Sequence, residues 1–291
     1  MAKISTLRPS PTALLNPRCD SSFKAIFAAD TPESNAALKD LISTILNREV
    51  KEMALLPNEP VVEIFTESQM SFDVSVKFND GEKVDLEMQA RNQAYDYSSR
   101  AEIQVARLLS TSNIKGDNWT TPAAYQISVL NFSLDKSDKS CLSWYTMKDE
   151  MGKSLSNRLN VIFFDLVKNR KLINTPVGKL SKLEKWGLFL SYADSEKHAG
   201  YIRELVDSEG GLMNARSSLL TVSQDEINWA RQNSIYIAQH DYNDGLYNAE
   251  KRGERKRALE AARNALAMGL TASQAAQISQ LPLDEIQQLK N

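Results

Sequence analysis

Residues 71–89 read SFDVSVKFNDGEKVDLEMQ. Phe72, Val74, Val76 and Phe78 alternate with Asp73, Ser75 and Lys77, the period of a β-strand with one covered face. Asn79-Asp80-Gly81 is a turn signal, and beyond it Val84, Leu86 and Met88 alternate with Asp85, Glu87 and Gln89. The two runs predict a β-hairpin whose register follows by counting. A two-residue loop would set Asp73 against Met88 and Val74 against Glu87, mixing polar with apolar side chains. A loop of Asn79, Asp80 and Gly81 sets Phe72 against Met88, Val74 against Leu86 and Val76 against Val84. Such loops end in a residue at positive φ, which Gly81 adopts without steric cost. Because a one-residue slip would turn one strand inside out, the three-residue register is the expected one.

That register places Asp73 opposite Glu87, with Gln89 two residues further on the same face. Directly opposed Cβ atoms lie about 5 Å apart, and like charges there repel. A shared proton, a basic partner or a divalent cation would offset the repulsion. A hard cation such as Mg²⁺ prefers carboxylate oxygens and keeps several waters, which suits hydrolysis of a phosphodiester. The same pattern also fits a solvated polar face on an amphipathic hairpin.

Outward from the hairpin, Asp20–Ala29 and Ser34–Leu46 are expected to be helices, the second from the spacing of Leu38, Leu41, Ile42 and Ile45. Val61–Thr66 is a strand expectation. Ser99 followed by Glu102 reads as a capping box opening a helix to about Ser112. Ala124–Phe132 and Cys141–Met147 read as strands, and Asn160–Val167 fits strand or helix. From Leu180 onward the pattern is helical, with Leu180, Leu183, Gly187 and Leu190 on one stripe. The expected division is an α/β domain over 1–175 and a helical domain over 176–291, ending in a small helix pair at 269–291.

The chain has 291 residues, 42% hydrophobic and 25% charged, an ordinary globular composition. Lys plus Arg number 35 and Asp plus Glu 37, so a nucleic-acid surface must be a local patch. Two cysteines, Cys19 and Cys141, build no disulfide framework or thiolate metal site, and read as buried thiols. Two histidines, His198 and His240, with no Gly-x-Ser-x-Gly turn, argue against zinc and serine-hydrolase chemistry. Met1–Pro17 lacks the apolar core of a signal peptide, and the longest apolar stretch of the second half, about four residues around Val161–Phe164, is far short of a membrane span, so a cytoplasmic protein is expected.

The hairpin string resembles the active-site hairpin of the Rpn family, the recombination-promoting nuclease and transposase group of the PD-(D/E)xK nuclease superfamily. That family's Asp-Val strand, Gly turn and Glu-x-Gln fall on Asp73-Val74, Gly81 and Glu87-Met88-Gln89. Its N-terminal signature is similar to Asp20, Phe23, Lys24 and Phe27, and its Arg after the hairpin matches Arg100. The resemblance spans roughly residues 14–171 and rests on the order and spacing of short motifs.

It implies a restriction-endonuclease-like core, a mixed sheet flanked by helices. It further implies an Mg²⁺-dependent DNA endonuclease in which Asp73 and Glu87 ligate the metal, helped by the Met88 carbonyl, with a link to recombination or mobile elements. Gln89 occupies the superfamily's lysine position; it can hold a water but brings no positive charge. Lys83 sits about 13 Å from Glu87 along the strand at 3.3 Å per residue, so Lys24 is the better source of charge at phosphate. Asp20 is either a further acidic ligand or a helix cap, a role Ser21 and Ser22 could also fill.

Phe23 and Phe27, an i, i+4 pair, read as core. Arg100, Gln104 and Arg107 share a helix face that could meet the DNA backbone, Arg100 being the better placed. Lys251–Arg257 holds five basic residues in seven, fitting phosphate contacts or a solvated face. In the tail, Thr271 and Asp284 read as caps, and Ala275, Ile278, Ile286 and Leu289 as an apolar face for packing or homo-oligomerisation. Trp186, Trp229, Tyr236 and Tyr242 read as core or interface. A second functional reading, motivated by Gln89, is a DNA-binding or assembly protein whose nuclease fold turns over weakly.

Overall fold

The alternation around residue 80 is realised as two neighbouring strands of a mixed sheet. The computed structural model describes residues 10–56, 73–91, 96–110 and 121–289. Its strands are β1 (Met53–Leu55), β2 (Val74–Phe78), β3 (Glu82–Gln89), β4 (Ala124–Leu130), β5 (Leu142–Thr146) and β6 (Leu159–Asp165). They lie in the order β1-β2-β3-β4-β6-β5. β1, β2 and β3 are antiparallel neighbours, β3, β4 and β6 run parallel, and β5 returns antiparallel on β6. Val74 pairs with Leu86 and Val76 with Val84, the three-residue-loop register, and Gly81 takes φ +92°. The Val61–Thr66 expectation and Phe72 lie outside the described residues.

One sheet face is apolar because Val74, Val76, Val84, Leu86, Ile127 and Phe164 point the same way, all fully buried. Against it lie α1 (Asp20–Phe27) and α2 (Pro32–Leu46). Phe23 and Phe27 are both in this core, ring centroids 4.8 Å apart, as are Leu38, Leu41, Ile42 and Ile45. Cys19 takes the cap position of α1 with no side-chain cap bond, and Asp20 is the first helical residue, so none of Asp20, Ser21 and Ser22 is the cap.

The opposite face carries the polar positions of β3 and β4, and α3 (Tyr97–Ser110), which links these parallel strands, covers it. Tyr97, Ala101, Val105 and Leu108 pack on Ala124, Leu130, Val161 and Phe163. The polar face of the hairpin is therefore buried where β3 runs beneath α3, with Asp85 and Glu87 no more than 1% exposed. It is not a solvated face. α3 opens three residues earlier than the Ser99 capping box suggests. Asp96 Oδ1 accepts from the Ser98 N–H at 3.0 Å and Oδ2 from the Ser99 hydroxyl at 2.7 Å, so aspartate outcompetes serine for the cap.

Residues 159–165 resolve to strand, with Asp165 then capping the short α4 (Leu166–Asn169). α5 (Lys182–Tyr192), α6 (Ala199–Asp207) and α7 (Gly210–Ser223) follow, and Trp186, Phe189, Leu205, Leu212 and Leu219 join the core of α1 and α2. Gly211 lies so close to Asp40 of α2 that a Cβ there would sit 2.1 Å from Oδ2. Consequently the boundary between compact units falls between Trp229 and Ala230 rather than near 175. α5–α7 complete the first unit; they are not a domain of their own.

The long α8 (Glu226–Ala267) crosses that boundary in sequence. In the second unit, α9 (Ala272–Ser279) and α10 (Leu283–Gln288) bury Ala275 and Ile286 against Ala262 and Ala265 of α8. Thr271 caps α9 in a capping box with Gln274, but Pro282, not Asp284, takes the cap position of α10, and Ile278 is 57% exposed. Among the described residues, no helix is long and apolar enough to cross a membrane.

Candidate active site

The last turn of the ladder brings the acidic residues together. Continuing the Val74–Leu86 pairing one step outward sets Asp73 against Glu87, at the end of β3 where the parallel part of the sheet opens. Asp73 Oδ2 accepts the Met88 backbone N–H at 3.1 Å, which fixes the carboxylate on its partner strand. Ligands in open α/β sheets sit at these carboxyl ends of parallel strands.

Glu87 is held from three directions. Gln104, one side of α3 turned inward, donates its side-chain amide to Oε1. Gln89 donates to Oε2 at 3.2 Å, and the Arg100 guanidinium lies 3.5 Å from the same oxygen. Asp73 carries its own cation: Lys24 Nζ, from α1, is 3.5 Å from Asp73 Oδ1 and 2.9 Å from Asp20 Oδ1. The structure thus assembles Asp20, Lys24, Asp73, Glu87, Gln89 and Arg100 from α1, β3, α3 and the residue preceding β2. Asp20 enters as the partner of Lys24, its side chain 68% exposed.

Burial dominates the electrostatics. It raises Glu87 to about 7; Arg100 pulls downward and Asp73 pushes further up. It also raises Asp73, against the Met88 N–H and Lys24. Asp85, wholly buried two residues before Glu87, is raised well above the carboxylate range by burial and by the charges of Glu87 and Asp73. For Lys24, burial works against the ammonium, but Asp20 and Asp73 outweigh it and the pKa rises.

Beneath α3, Asp85 pairs in register with Gln126, whose side-chain amide works against the rise of the Asp85 carboxyl, and Gln104 Oε1 accepts no hydrogen bond from the described residues. Ser128, which pairs with Glu87, accepts a hydrogen bond from the Tyr97 hydroxyl at 3.1 Å. In the sequence Asp85 shows only as part of the hairpin's polar alternation, Gln126 and Ser128 only as polar residues at alternate positions inside an otherwise apolar β4, and Tyr97 of α3 carries no signal of its own. Arg107 lies further along α3 and is only partly exposed.

The remaining candidates are structural or lie elsewhere. Lys83, at the far end of β3, pairs with Lys77. Trp186 is fully buried and donates to Asp40 at 2.9 Å, Trp229 packs on the same core, and Tyr242 is exposed. His198 stacks edge-on against Tyr192, while the side chains of Tyr236 and His240 lie outside the described residues. Cys19 and Cys141 are half-buried rather than buried, and neither is in a disulfide.

Among the described residues, no three His, Cys, Asp or Glu side chains converge on a single point. Asp73 and Glu87 nonetheless fit a hard divalent cation. Both are oxygen donors whose proton affinity is raised by burial, Asp73 adds to the rise of Glu87, and a two-carboxylate site suits an ion that keeps several waters. A family model described as PD-(D/E)XK nuclease family transposase matches residues 17–249. No curated protein and no solved structure matches the chain.

Proposed function

We propose that this chain, which belongs to the PD-(D/E)XK nuclease family transposases, is a divalent-metal-dependent DNA endonuclease of the cytoplasm that hydrolyses phosphodiester bonds, linked to recombination or mobile elements. The observation that carries the reading is the joint placement of Asp73 and Glu87 on paired strands with Lys24 and Arg100 each within 3.5 Å of one carboxylate. Asp73 and Glu87 would hold Mg²⁺, with the Met88 carbonyl as a further oxygen donor. The metal, when bound, supplies Lewis-acid charge to the scissile phosphate.

The chain's own groups supply the rest. Lys24 and Arg100 are each 37% exposed, so their charged ends reach solvent while touching the carboxylates. Both can turn to phosphate oxygens, orienting the strand and stabilising developing negative charge. Gln104 keeps Glu87 in one rotamer. Gln89, hydrogen-bonded to Glu87, positions water with an amide where the superfamily pattern has lysine. That amide favours a second reading, a DNA-binding or assembly protein with slow turnover.

Plasmid nicking separates the two. Wild type and Asp73→Ala are run side by side with and without Mg²⁺. Metal-dependent cleavage that disappears in the variant supports the nuclease. Folded wild type that binds DNA but cuts with no divalent metal supports the alternative.

A further inference from the structure

We propose that Lys251–Arg263 of α8 is a second DNA-contacting surface, a basic stripe that follows the phosphate backbone of a duplex without reading its sequence; the proposal rests on the DNA-nuclease reading. At about 100° per residue, Lys251, Arg255, Arg252, Arg263 and Lys256 fall within a sector of about 140°. Glu260, Glu250 and Glu254 fall on the rest of the circumference, accompanied by Arg257. All of these side chains are exposed. A chain whose net charge is −2 therefore gathers five cations on one side of one helix.

The arrangement differs from that of a merely solvated helix. Such helices place opposite charges at i, i+4 spacing, where they attract. Here Lys251 and Arg255, Arg252 and Lys256, and Glu250 and Glu254 are like-charged at that spacing, and only Lys256 and Glu260 are opposite. At i, i+3 spacing Lys251–Glu254, Glu254–Arg257, Arg257–Glu260 and Glu260–Arg263 are opposite, so the repulsion that an external anion would relieve is concentrated in Lys251, Arg252, Arg255 and Lys256, which repel one another at i, i+3 and i, i+4. Arg255 has an acidic partner, Glu285 of α10 at 3.0 Å. Lys251, Arg252, Lys256 and Arg263 form no ion pair with any described acidic side chain. Lys251 lies over the Tyr247 ring at 4.7 Å, which leaves its charge at the surface.

The spacing also suits the ligand. Twelve residues of helix span about 18 Å, and each DNA strand presents a phosphate about every 3.4 Å along the duplex axis. Ala262, within the same sector at about 20° from Lys251, is covered by α9 and α10, so it is the edge formed by Arg252, Lys256 and Arg263 that faces several phosphates of one strand in series. It carries no aromatic or amide side chain in the basic sector that would read base edges, so the contact is independent of sequence.

The test uses the full chain carrying Asp73→Asn, so that DNA stays intact, and a short duplex of arbitrary sequence. Binding is titrated over a range of salt concentrations for this parent and for Lys251→Gln/Arg252→Gln/Lys256→Gln/Arg263→Gln. A control neutralises four exposed lysines elsewhere, Lys136, Lys139, Lys148 and Lys153. Each lost phosphate contact lowers the slope of log K against log salt by about 0.9. The stripe variant should lose up to about 3.6 units of slope, about 0.9 for each of its four cations, and bind at least about ten-fold more weakly at 0.1 M salt, while the control keeps the parent's slope. An unchanged slope, or an equal loss in the control, overturns the stripe and leaves the nuclease reading standing. A parent that binds no duplex overturns both. If the quadruple variant loses helical content by circular dichroism, Lys251→Gln/Arg252→Gln and Lys256→Gln/Arg263→Gln carry the same test with about half the slope change.

Discussion

Gln104 donates its buried side-chain amide to Glu87 Oε1 although the two residues are seventeen positions apart, one on the crossover helix and one at the centre of the sheet. This bond couples the helix covering the polar face to the carboxylate that defines the site. Groups that orient a ligating side chain are worth about ten- to a hundred-fold in metal affinity or activity. Gln104→Leu should therefore keep its fold and cut cleavage by about that factor, with more Mg²⁺ needed for half-maximal rate. Titrating the cleavage rate against Mg²⁺ checks it; an unchanged Mg²⁺ requirement would show that Glu87 needs no such support.

Asp73, Asp85 and Glu87 all hold protons more tightly in the fold than as free carboxylates, Glu87 up to about 7. Between the ordinary carboxylate range and about 7 the folded state binds more protons than the unfolded chain, so stability falls as pH rises through that window. In EDTA, Tm should drop from pH 5.5 to pH 8, and Mg²⁺ should recover most of the loss at pH 8 by binding the ionised pair. Asp85→Asn removes one of the three charges and should flatten the EDTA profile while leaving metal-dependent cleavage in place. Thermal melts across that range decide it, and a Tm rising with pH in EDTA is the contrary result.

Lys24 bridges Asp20 and Asp73, and its role at phosphate can be separated from its role as a counter-ion. Lys24→Met removes a cation from Asp73, so Mg²⁺ should bind no more weakly. Cleavage should still fall by about ten- to a thousand-fold, the range for losing one charge-stabilising group. Asp20→Asn, which leaves Lys24 in place, should cost far less. Parallel measurement of Mg²⁺ affinity by calorimetry and of single-turnover cleavage tells these apart; a matched loss in both would mark Lys24 as a support for the metal site alone.

What could be read in advance was local. Gly81 and the alternation of Phe72–Phe78 with Val84–Met88 fix the hairpin register within eighteen residues, and register alone puts Asp73 beside Glu87. The cover over the polar face was not legible, because it depends on where α3 lands after the β3–β4 crossover. Gln104 and Arg100 share a helix face by sequence, but nothing in that spacing says the face turns toward a carboxylate. Asp85 and Gln126 become partners only once β3 and β4 run parallel. The extent of the first unit failed for a similar reason: an apolar helix stripe declares that it will be buried, not against what.

That last point is directly testable by truncation. Trp186 lies wholly in the core and donates to Asp40 of α2, Lys182 reaches the same carboxylate at 2.5 Å, and the Leu15 N–H donates to Ser223 at the end of α7. Removing residues 176–291 would strip α1 and α2 of the surface formed by Leu188, Phe189, Leu205, Leu212 and Leu219. At about 1.5–3 kcal/mol per buried side chain, losing the packing of five of them costs about 8–15 kcal/mol, as much as the 5–15 kcal/mol that holds a typical domain together. A chain ending at 175 should be insoluble or unfolded, whereas one ending at 229 should fold and melt cooperatively. Gly211→Ala, which presses a methyl against Asp40, should destabilise the full chain by about 1–3 kcal/mol. A soluble, cooperatively melting 1–175 fragment would restore the boundary the sequence pattern suggests.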